Sequence, residues 1–372
     1  MTVLSIKFIV FLTLLTACYW SCPRAWRLSF AAMVGFIGLA GFAPYSAATC
    51  LSLTFITYML SPRIKTLGGA YLVAILLFIG LLLGREWALN HSAQFSILPW
   101  LGAAFYTLRA IHYLLASVQH QLPSHRLADY LRYMFFPPAL LIGPIQRFTE
   151  FEREARRCRF DWHYFSAGLE RLLFGYAKIV LLANYLVAGK LAYWIGLLPE
   201  GAMQSYLSCL EYGLNLYFKF AGYSDIAIGF ALLLGVRLPE NFNFPFLAQN
   251  IGEFWKRWHI SVSTWCRDHV NYPLYARFRS PAIAAIAAML VLGLWHETSA
   301  RYFLWGAYHG VGIMIWQRWR AVELPVIWVP NRHVGMFISW LVTFNFVIIG
   351  FAITSAPDVT HAMQILGRLI GD

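Results

Sequence analysis

Nine long apolar runs follow one another along this chain, and they constrain its fold more than any other feature. They are Leu4–Trp20, Leu28–Leu60, Leu67–Gly84, Phe95–Val118, Ala167–Leu198, Met203–Leu234, Ala282–Trp295, Tyr302–Trp316 and Val334–Thr354. A helix needs about 20 mostly apolar residues to cross the hydrocarbon core of a bilayer. The runs therefore predict an all-α integral membrane protein with about eight to eleven transmembrane or re-entrant helices, the two longest runs each holding two segments. None of them alternates polar with apolar residues, which excludes a barrel of the outer-membrane kind. The charge content agrees: 12% of residues are charged and 59% hydrophobic, whereas soluble domains carry about 25% charged residues.

The net charge of +12 has two compatible readings. Basic loops hold a membrane protein in its orientation, and a basic face attracts anionic lipid heads, an acidic carrier protein or a phosphate-bearing donor. The basic-rich stretch Arg147–Arg159 is assigned to the cytoplasmic side as a polar loop. The six cysteines are scattered, mostly within or beside apolar runs, where the thiol acts as a small hydrophobe. Leu15-Thr16-Ala17-Cys18 faintly resembles a lipoprotein cleavage site. Lys7 alone supplies an amino-terminal charge and further spans follow, so an uncleaved first span is expected. No linker, repeat or polar segment of domain size interrupts the chain, and residues 1–372 read as a single polytopic membrane domain.

Two segments do not read as simple spans. Phe135–Pro144 is apolar but carries Pro137, Pro138, Pro144 and Gly143. Proline removes backbone donors, so the segment is predicted to be unwound or re-entrant. Irregular backbone survives at membrane depth only inside protein or along a wet cavity, which points to a tunnel. In Asn250–Asp268, Asn250 and Glu253 fit a capping pattern. Ile251, Phe254, Trp255, Trp258, Val262 and Trp265 then share one helical face, opposite Lys256, Arg257 and Arg267, with Ile260 as the exception. Either a helix lying in the membrane interface or a buried helix with a solvated edge accounts for this pattern.

Ionisable side chains inside apolar runs are costly and usually functional. Here they are His112, Lys178, Lys219, Asp225, His296 and His309. The two lysines also fit snorkelling or structural pairing, and His112 fits a hydrogen-bonded core histidine. His309 lies deep in an aromatic run with no carboxylate near in sequence. His296 opens a zinc-protease-like His-Glu pair, but Ala300 stands where the second histidine would have to be, so no metal site is expected. A nucleophile elbow, a phosphate-binding loop and a Rossmann fingerprint are all missing. On one straight helix His296 and His309 would be about 20 Å apart on different faces. A shared site therefore requires a turn, and Thr298, Ser299 and Arg301 are suited to make it.

Several motifs occur together. Phe220-Ala-Gly-Tyr-Ser-Asp-Ile-Ala-Ile-Gly229 precedes Leu234-Gly-Val-Arg-Leu-Pro-Glu-Asn-Phe-Asn243. Next come Pro245-Phe-Leu247, Glu253-Phe-Trp-Lys-Arg-Trp-His-Ile-Ser261 and Trp265-Cys-Arg-Asp268. Upstream stand Phe135-Phe-Pro-Pro138 and Gly143-Pro-Ile-Gln-Arg147, and downstream Leu294-Trp-His296 and Trp305-Gly-Ala-Tyr-His-Gly310. Together these resemble the membrane-bound O-acyltransferases, in the bacterial branch that includes alginate O-acetylases and teichoic acid D-alanyltransferases. The similarity covers approximately residues 100–318.

The resemblance implies a multi-span fold around a central tunnel, with His309 as the catalytic histidine and His296 as the accessory one. Asp225, Pro144, Asn241 and Trp305 fall in the family's tunnel or structural motifs. The implied reaction moves a short acyl group, acetyl or D-alanyl, from a thioester donor to a hydroxyl of an extracytoplasmic glycan or cell-envelope polymer. The thioester, acetyl-CoA or an acyl carrier protein, is a substrate, and no bound cofactor is implied. Expected partners are membrane lipids, the donor and the polymer, with no nucleic acid, and the implied location is the bacterial inner membrane. Lys256, Arg257 and Arg267 would meet the donor's phosphate, although a solvated helix face explains them equally well. Gly143-Pro-Ile-Gln-Arg-Phe148 leans toward the D-alanyl type. Two departures stand out: Glu297 occupies a position usually held by Gly, and the chain ends at Asp372, so a large periplasmic acceptor-binding extension is not expected. A transporter or flippase would show paired short segments in related halves, which are not evident, and a scaffold for polysaccharide export would lack chemistry of its own.

Overall fold

A computed structural model describes residues 5–95, 102–140, 143–321 and 331–371, and the regular elements among them are all helical. The protein is therefore the all-α membrane protein that the apolar runs predict. The chain divides into two compact units, one of residues 1–176 and 223–239, the other of residues 177–222 and 240–372.

The first unit holds α1 (Ile6–Ser21), α2 (Arg27–Phe42), α3 (Pro44–Leu60), α4 (Leu67–Phe95), α5 (Ala103–Val118), α6 (Leu127–Met134) and α7 (Phe148–Arg157). Two longer helices, α8 (Trp162–Gly196) and α9 (Ala202–Leu233), contribute to both units. The long run from Leu28 contains two helices, as expected, because Pro44 cannot continue α2 and instead starts α3. The other long runs do not divide. Ala167–Leu198 lies mainly in α8 and Met203–Leu234 in α9, each one continuous helix. Neither stretch contains a proline, and α8 absorbs its irregularity as a wider helical turn over Lys178–Leu191.

Four described helices, Leu67–Ala88 of α4, α8, α9 and Arg332–Ser355, are long and apolar enough to cross a membrane, and α1, α2 and Pro281–His296 are shorter apolar helices. On α4, Leu72, Ile75, Leu76, Ile79 and Leu83 are all between 45% and 67% exposed. A row of that kind is stable against lipid and not against water.

The proline-broken segment is irregular, as predicted. Its described residues form a short turn at Pro137–Ala139 and are buried from Phe135 to Phe136 and from Pro138 to Leu140. Leu141 and Ile142 lie outside the described residues. Arg109 of α5, only 1% exposed, donates to the carbonyls of Met134 and Ala139, each at 3.3 Å, and to that of Tyr133, whose ring its guanidinium overlies at 4.0 Å. A buried cation thus satisfies the Tyr133 and Met134 carbonyls, whose helical donors at 137 and 138 are replaced by prolines, and the Ala139 carbonyl in the irregular segment. The polar stretch Arg147–Arg159 is mostly the amphipathic helix α7, not a loop. Its Glu154 takes two bonds from Arg237, at 2.8 and 3.2 Å.

The second unit adds α10 (Ile251–Arg257), α11 (Ile260–Cys266), α12 (Tyr272–Phe278), α13 (Pro281–His296), α14 (Ala300–Ala321), α15 (Arg332–Ser355) and α16 (Val359–Ile370). Its most extensive helix pairing is α13 against α14, and glycines allow the backbones to approach. A Cβ on Gly306 would stand 2.6 Å from the Met289 carbonyl oxygen, and one on Gly310 would stand 2.8 Å from the Ile286 Cα.

Candidate active site

The site is built from α10, α11, α13, α14 and α15, all within the second unit. Asn250 caps α10 by accepting from Glu253 N–H at 2.8 Å, as the capping pattern predicts, whereas Glu253 accepts from Gln249 N–H at 2.8 Å, one residue before the N–H that a capping box would use. The helix expected through Asp268 does not continue. It stops at Trp258, and His259 turns into the left-handed region with φ 44° before α11 begins. Ile260, the residue that broke the helical face in the sequence, marks this bend.

Asn241 holds the bend in place. Its carbonyl accepts from Ile260 N–H at 2.9 Å, and its side-chain oxygen accepts from Ser261 Oγ at 2.9 Å and Ser261 N–H at 3.3 Å. The same oxygen lies 3.1 Å from His259 Nδ1. Both Asn241 and His259 are buried. A non-glycine residue at positive φ costs about 1–3 kcal/mol and persists only where its surroundings over-determine it; here Asn241 supplies that restraint.

The tryptophan face of the predicted helix is buried within the protein. Ile251, Phe254, Trp255, Trp258, Val262 and Trp265 are all buried, while Lys256 and Arg267 remain exposed. Of the two readings of Asn250–Asp268, the buried helix with a solvated edge is the one observed, now in two pieces.

His296 is the last residue of α13, and Glu297, in extended conformation, ends that helix before α14 starts at Ala300. The chain therefore turns between the two motif histidines. Trp305 lies between them, its ring centroid 4.9 Å from that of His309 and 5.8 Å from that of His296. The His259 ring is 6.0 Å from His296 and 5.6 Å from Trp295. Three histidines thus form one aromatic cluster; His259 was legible in the sequence only as part of the Trp258-His-Ile-Ser261 motif.

His309 is 2% exposed. Trp255 meets it edge-on at 5.3 Å, and Phe346 of α15 at 5.5 Å. His309 Nδ1, Trp305 Nε1 and Trp255 Nε1 are buried and make no hydrogen bond among the described residues. Glu297 pairs with Arg301 at 2.6 Å, and Arg301 also donates to the carbonyls of Thr354 and Ala356 at the end of α15. The residue standing in place of the expected glycine therefore ties the α13–α14 turn to α15.

The remaining predicted site residues separate. Lys256 and Arg267 line one cavity of about 340 Å³, together with Trp255, Tyr272, Met289 and Gln317, whose Oε1 is buried without a hydrogen bond among the described residues. Arg257 does not line it; its guanidinium is held by Glu253 at 2.5 Å. Asp225 and Pro144 belong to the first unit. Asp225 is 3% exposed and lies 2.7 Å from Arg171 Nε, and Pro144 is buried in the irregular segment. Lys178 and Lys219 are half-buried on α8 and α9, and His112 is buried on α5.

Apolar helices long enough to cross a membrane, together with a histidine cluster in the second unit of which His259 and His309 are buried, are the features of a polytopic membrane protein with a polar site. The chain belongs to the membrane-bound O-acyltransferase family, whose model matches residues 30–355. It is 34% identical over 277 residues to the probable alginate O-acetylase AlgI of Pseudomonas aeruginosa, covering 72% of this chain and 51% of that protein. It is 27% identical over 292 residues to the teichoic acid D-alanyltransferase of Bacillus subtilis, covering 73% of this chain and 72% of that protein. A third relative is the peptidoglycan O-acetyltransferase of Helicobacter pylori, 27% identical over 252 residues, which are 65% of this chain and 46% of that protein. The chain spans about half the length of the alginate relatives it matches.

Proposed function

We propose that the protein transfers a short acyl group, acetyl or D-alanyl, from a thioester donor to a hydroxyl of an extracytoplasmic glycan or cell-envelope polymer, with His309 as general base. The observation that carries this reading is the enclosed imidazole of His309, whose Nδ1 has no hydrogen-bond partner among the described residues and which is walled by Trp255, Trp305 and Phe346. A neutral imidazole in such a place can take the acceptor's hydroxyl proton. The hydroxyl oxygen then attacks the thioester carbonyl, the carbon–sulfur bond breaks, and the imidazolium returns its proton to the departing thiolate. The indole N–H groups of Trp255 and Trp305, buried without partners among the described residues, are available to the oxyanion.

The cavity carrying Lys256 and Arg267 supports a donor route, because Trp255 both lines it and touches His309. In this reading the two cations meet the phosphate of coenzyme A or of a carrier protein's pantetheine arm, and Arg257 supports α10 through Glu253. His296, across Trp305 from His309, positions the acceptor. The activities for which the relatives are named support a polymer acceptor, and the bacterial inner membrane is the matching location. The higher identity to the alginate acetylases, 34% against 27% for the D-alanyltransferase, favours acetyl.

Purified protein in detergent is tested for turnover of acetyl and D-alanyl thioesters with glycan acceptors. His309→Ala is expected to lower turnover by about 10²–10⁴ while leaving elution and thermal midpoint near those of the wild type. Full activity in that variant would refute the general-base role. No thioester turnover by the wild type with any donor would instead favour a transporter or a scaffold.

A further inference from the structure

The first unit contains a separate cavity of about 550 Å³ whose lining includes Arg24, Arg27, Asp129, Arg132, Glu152 and Arg156. Four guanidinium groups therefore face two carboxylates. Two of the four are paired, Arg132 with Asp129 at 2.9 Å and Arg156 loosely with Glu152 at 3.7 Å. Arg24 and Arg27 form no ion pair among the described residues. They are held by backbone carbonyls instead: Arg24 Nη2 donates to Arg156 O at 3.2 Å, and Arg27 donates to Cys22 O at 3.0 Å and Trp20 O at 3.5 Å. Carbonyls orient a guanidinium without cancelling its charge, so the cavity carries pre-positioned, uncompensated positive charge. Burial and the neighbouring Asp129 push the Glu152 carboxyl up from its ordinary range.

The surroundings indicate the depth at which this charge sits. Arg24 lies in the turn between α1 and α2, and Arg27 begins α2, the two shorter apolar helices. The other four residues come from the amphipathic helices α6 and α7. Trp20 and Phe160 pack edge to face at 5.1 Å, Phe160 meets Trp162 at 4.9 Å, and Arg27 lies over the Trp20 ring at 4.8 Å. Trp26 and Trp162 are 68% and 74% exposed. Exposed tryptophans at the ends of apolar helices mark the membrane–water interface, the level occupied by lipid phosphates. Basic pockets at that level take anionic headgroups.

We infer that this cavity is a binding site for a phosphate ester, supplied by the headgroup of an anionic membrane phospholipid. Arg24 and Arg27 grip the phosphate, Arg132 and Arg156 flank it, and the acyl chains extend along the apolar helices. The site is independent of the histidine cluster and of the acyl-transfer reading.

The test uses the full chain in neutral detergent, titrated with dioleoylphosphatidylglycerol, dioleoylphosphatidylcholine, or soluble coenzyme A, and followed by thermal midpoint. Phosphatidylglycerol is expected to raise the midpoint and phosphatidylcholine to leave it unchanged. The R24Q/R27Q double variant should need roughly tenfold or more phosphatidylglycerol for half the effect, as expected for losing charge-assisted bonds, and R24K/R27K should recover part of it. Equal responses to the two lipids, or a wild-type response in R24Q/R27Q, would overturn the inference. So would a response to coenzyme A with none to phosphatidylglycerol, which would assign the cavity to a soluble phosphate. Native mass spectrometry of the wild type with equal amounts of both lipids needs no variant: preferential retention of phosphatidylglycerol is expected, and equal retention contradicts the proposal.

Discussion

A Cβ placed on Gly350 would stand 3.0 Å from His309 Nε2 and 3.1 Å from the Tyr308 ring. The absence of a side chain at this position of α15 therefore gives the imidazole its room. The aromatic wall continues beside it, where Tyr308 stacks on Phe346 at 4.3 Å and donates to the Phe346 carbonyl at 2.8 Å.

Gly350→Ala should consequently impair the proposed reaction more than it impairs folding. Alanine favours a helix over glycine by about 1 kcal/mol, which offsets part of the steric cost. A small displacement of the imidazole is expected to lower turnover roughly tenfold or more. Steady-state turnover measured beside thermal midpoint checks this, and wild-type turnover with a lowered midpoint would contradict it.

His259 combines a positive φ with a ring in the histidine cluster, and two substitutions separate those roles. Glycine adopts that backbone without penalty, whereas alanine there costs about 1 kcal/mol or more. His259→Gly should therefore have a higher thermal midpoint than His259→Ala, with both below the wild type because each removes a buried ring. If the imidazole serves only the backbone, His259→Gly will retain acyl transfer; we expect it to be lost in both variants.

Glu152 sets a pH dependence in the first unit. Burial first, and Asp129 second, raise its carboxyl above the ordinary range, against Arg156, His125 and Arg132, which lower it. A raised carboxyl binds its proton more tightly in the folded chain. The stability it contributes is complete below the ordinary glutamate range and is lost as pH rises through the folded value. Glu152→Gln should therefore gain thermal midpoint relative to the wild type as pH rises from about 4 to 7. A constant difference across that range would exclude Glu152 as the source.

How much was legible in the sequence varies from element to element. The apolar runs specified helices and lipid contact, because backbone groups in hydrocarbon must bond within their own segment. Pro44 and the Asn250–Glu253 cap were readable because proline and capping side chains act within a few residues. The turn between His296 and His309 followed from helix geometry once the two were taken to share a site, because one straight helix would hold them about 20 Å apart. The break at His259 did not, because its cause is Asn241, eighteen residues earlier in the chain. Arg109 was likewise silent, since its role depends on carbonyls of the segment from Tyr133 to Ala139 that only folding brings beside α5.

By itself, the order of residues determined that this chain is a helical membrane protein with a family's histidine motifs, since lipid burial and motif chemistry are properties of short stretches. Tertiary structure alone decided that Trp305 lies between two of three clustered histidines, that Lys256 and Arg267 share a cavity while Arg257 does not, and that Arg24 and Arg27 meet beside α6 and α7. Those outcomes depend on which side chains arrive at the same place, and distance along the chain carries no record of that.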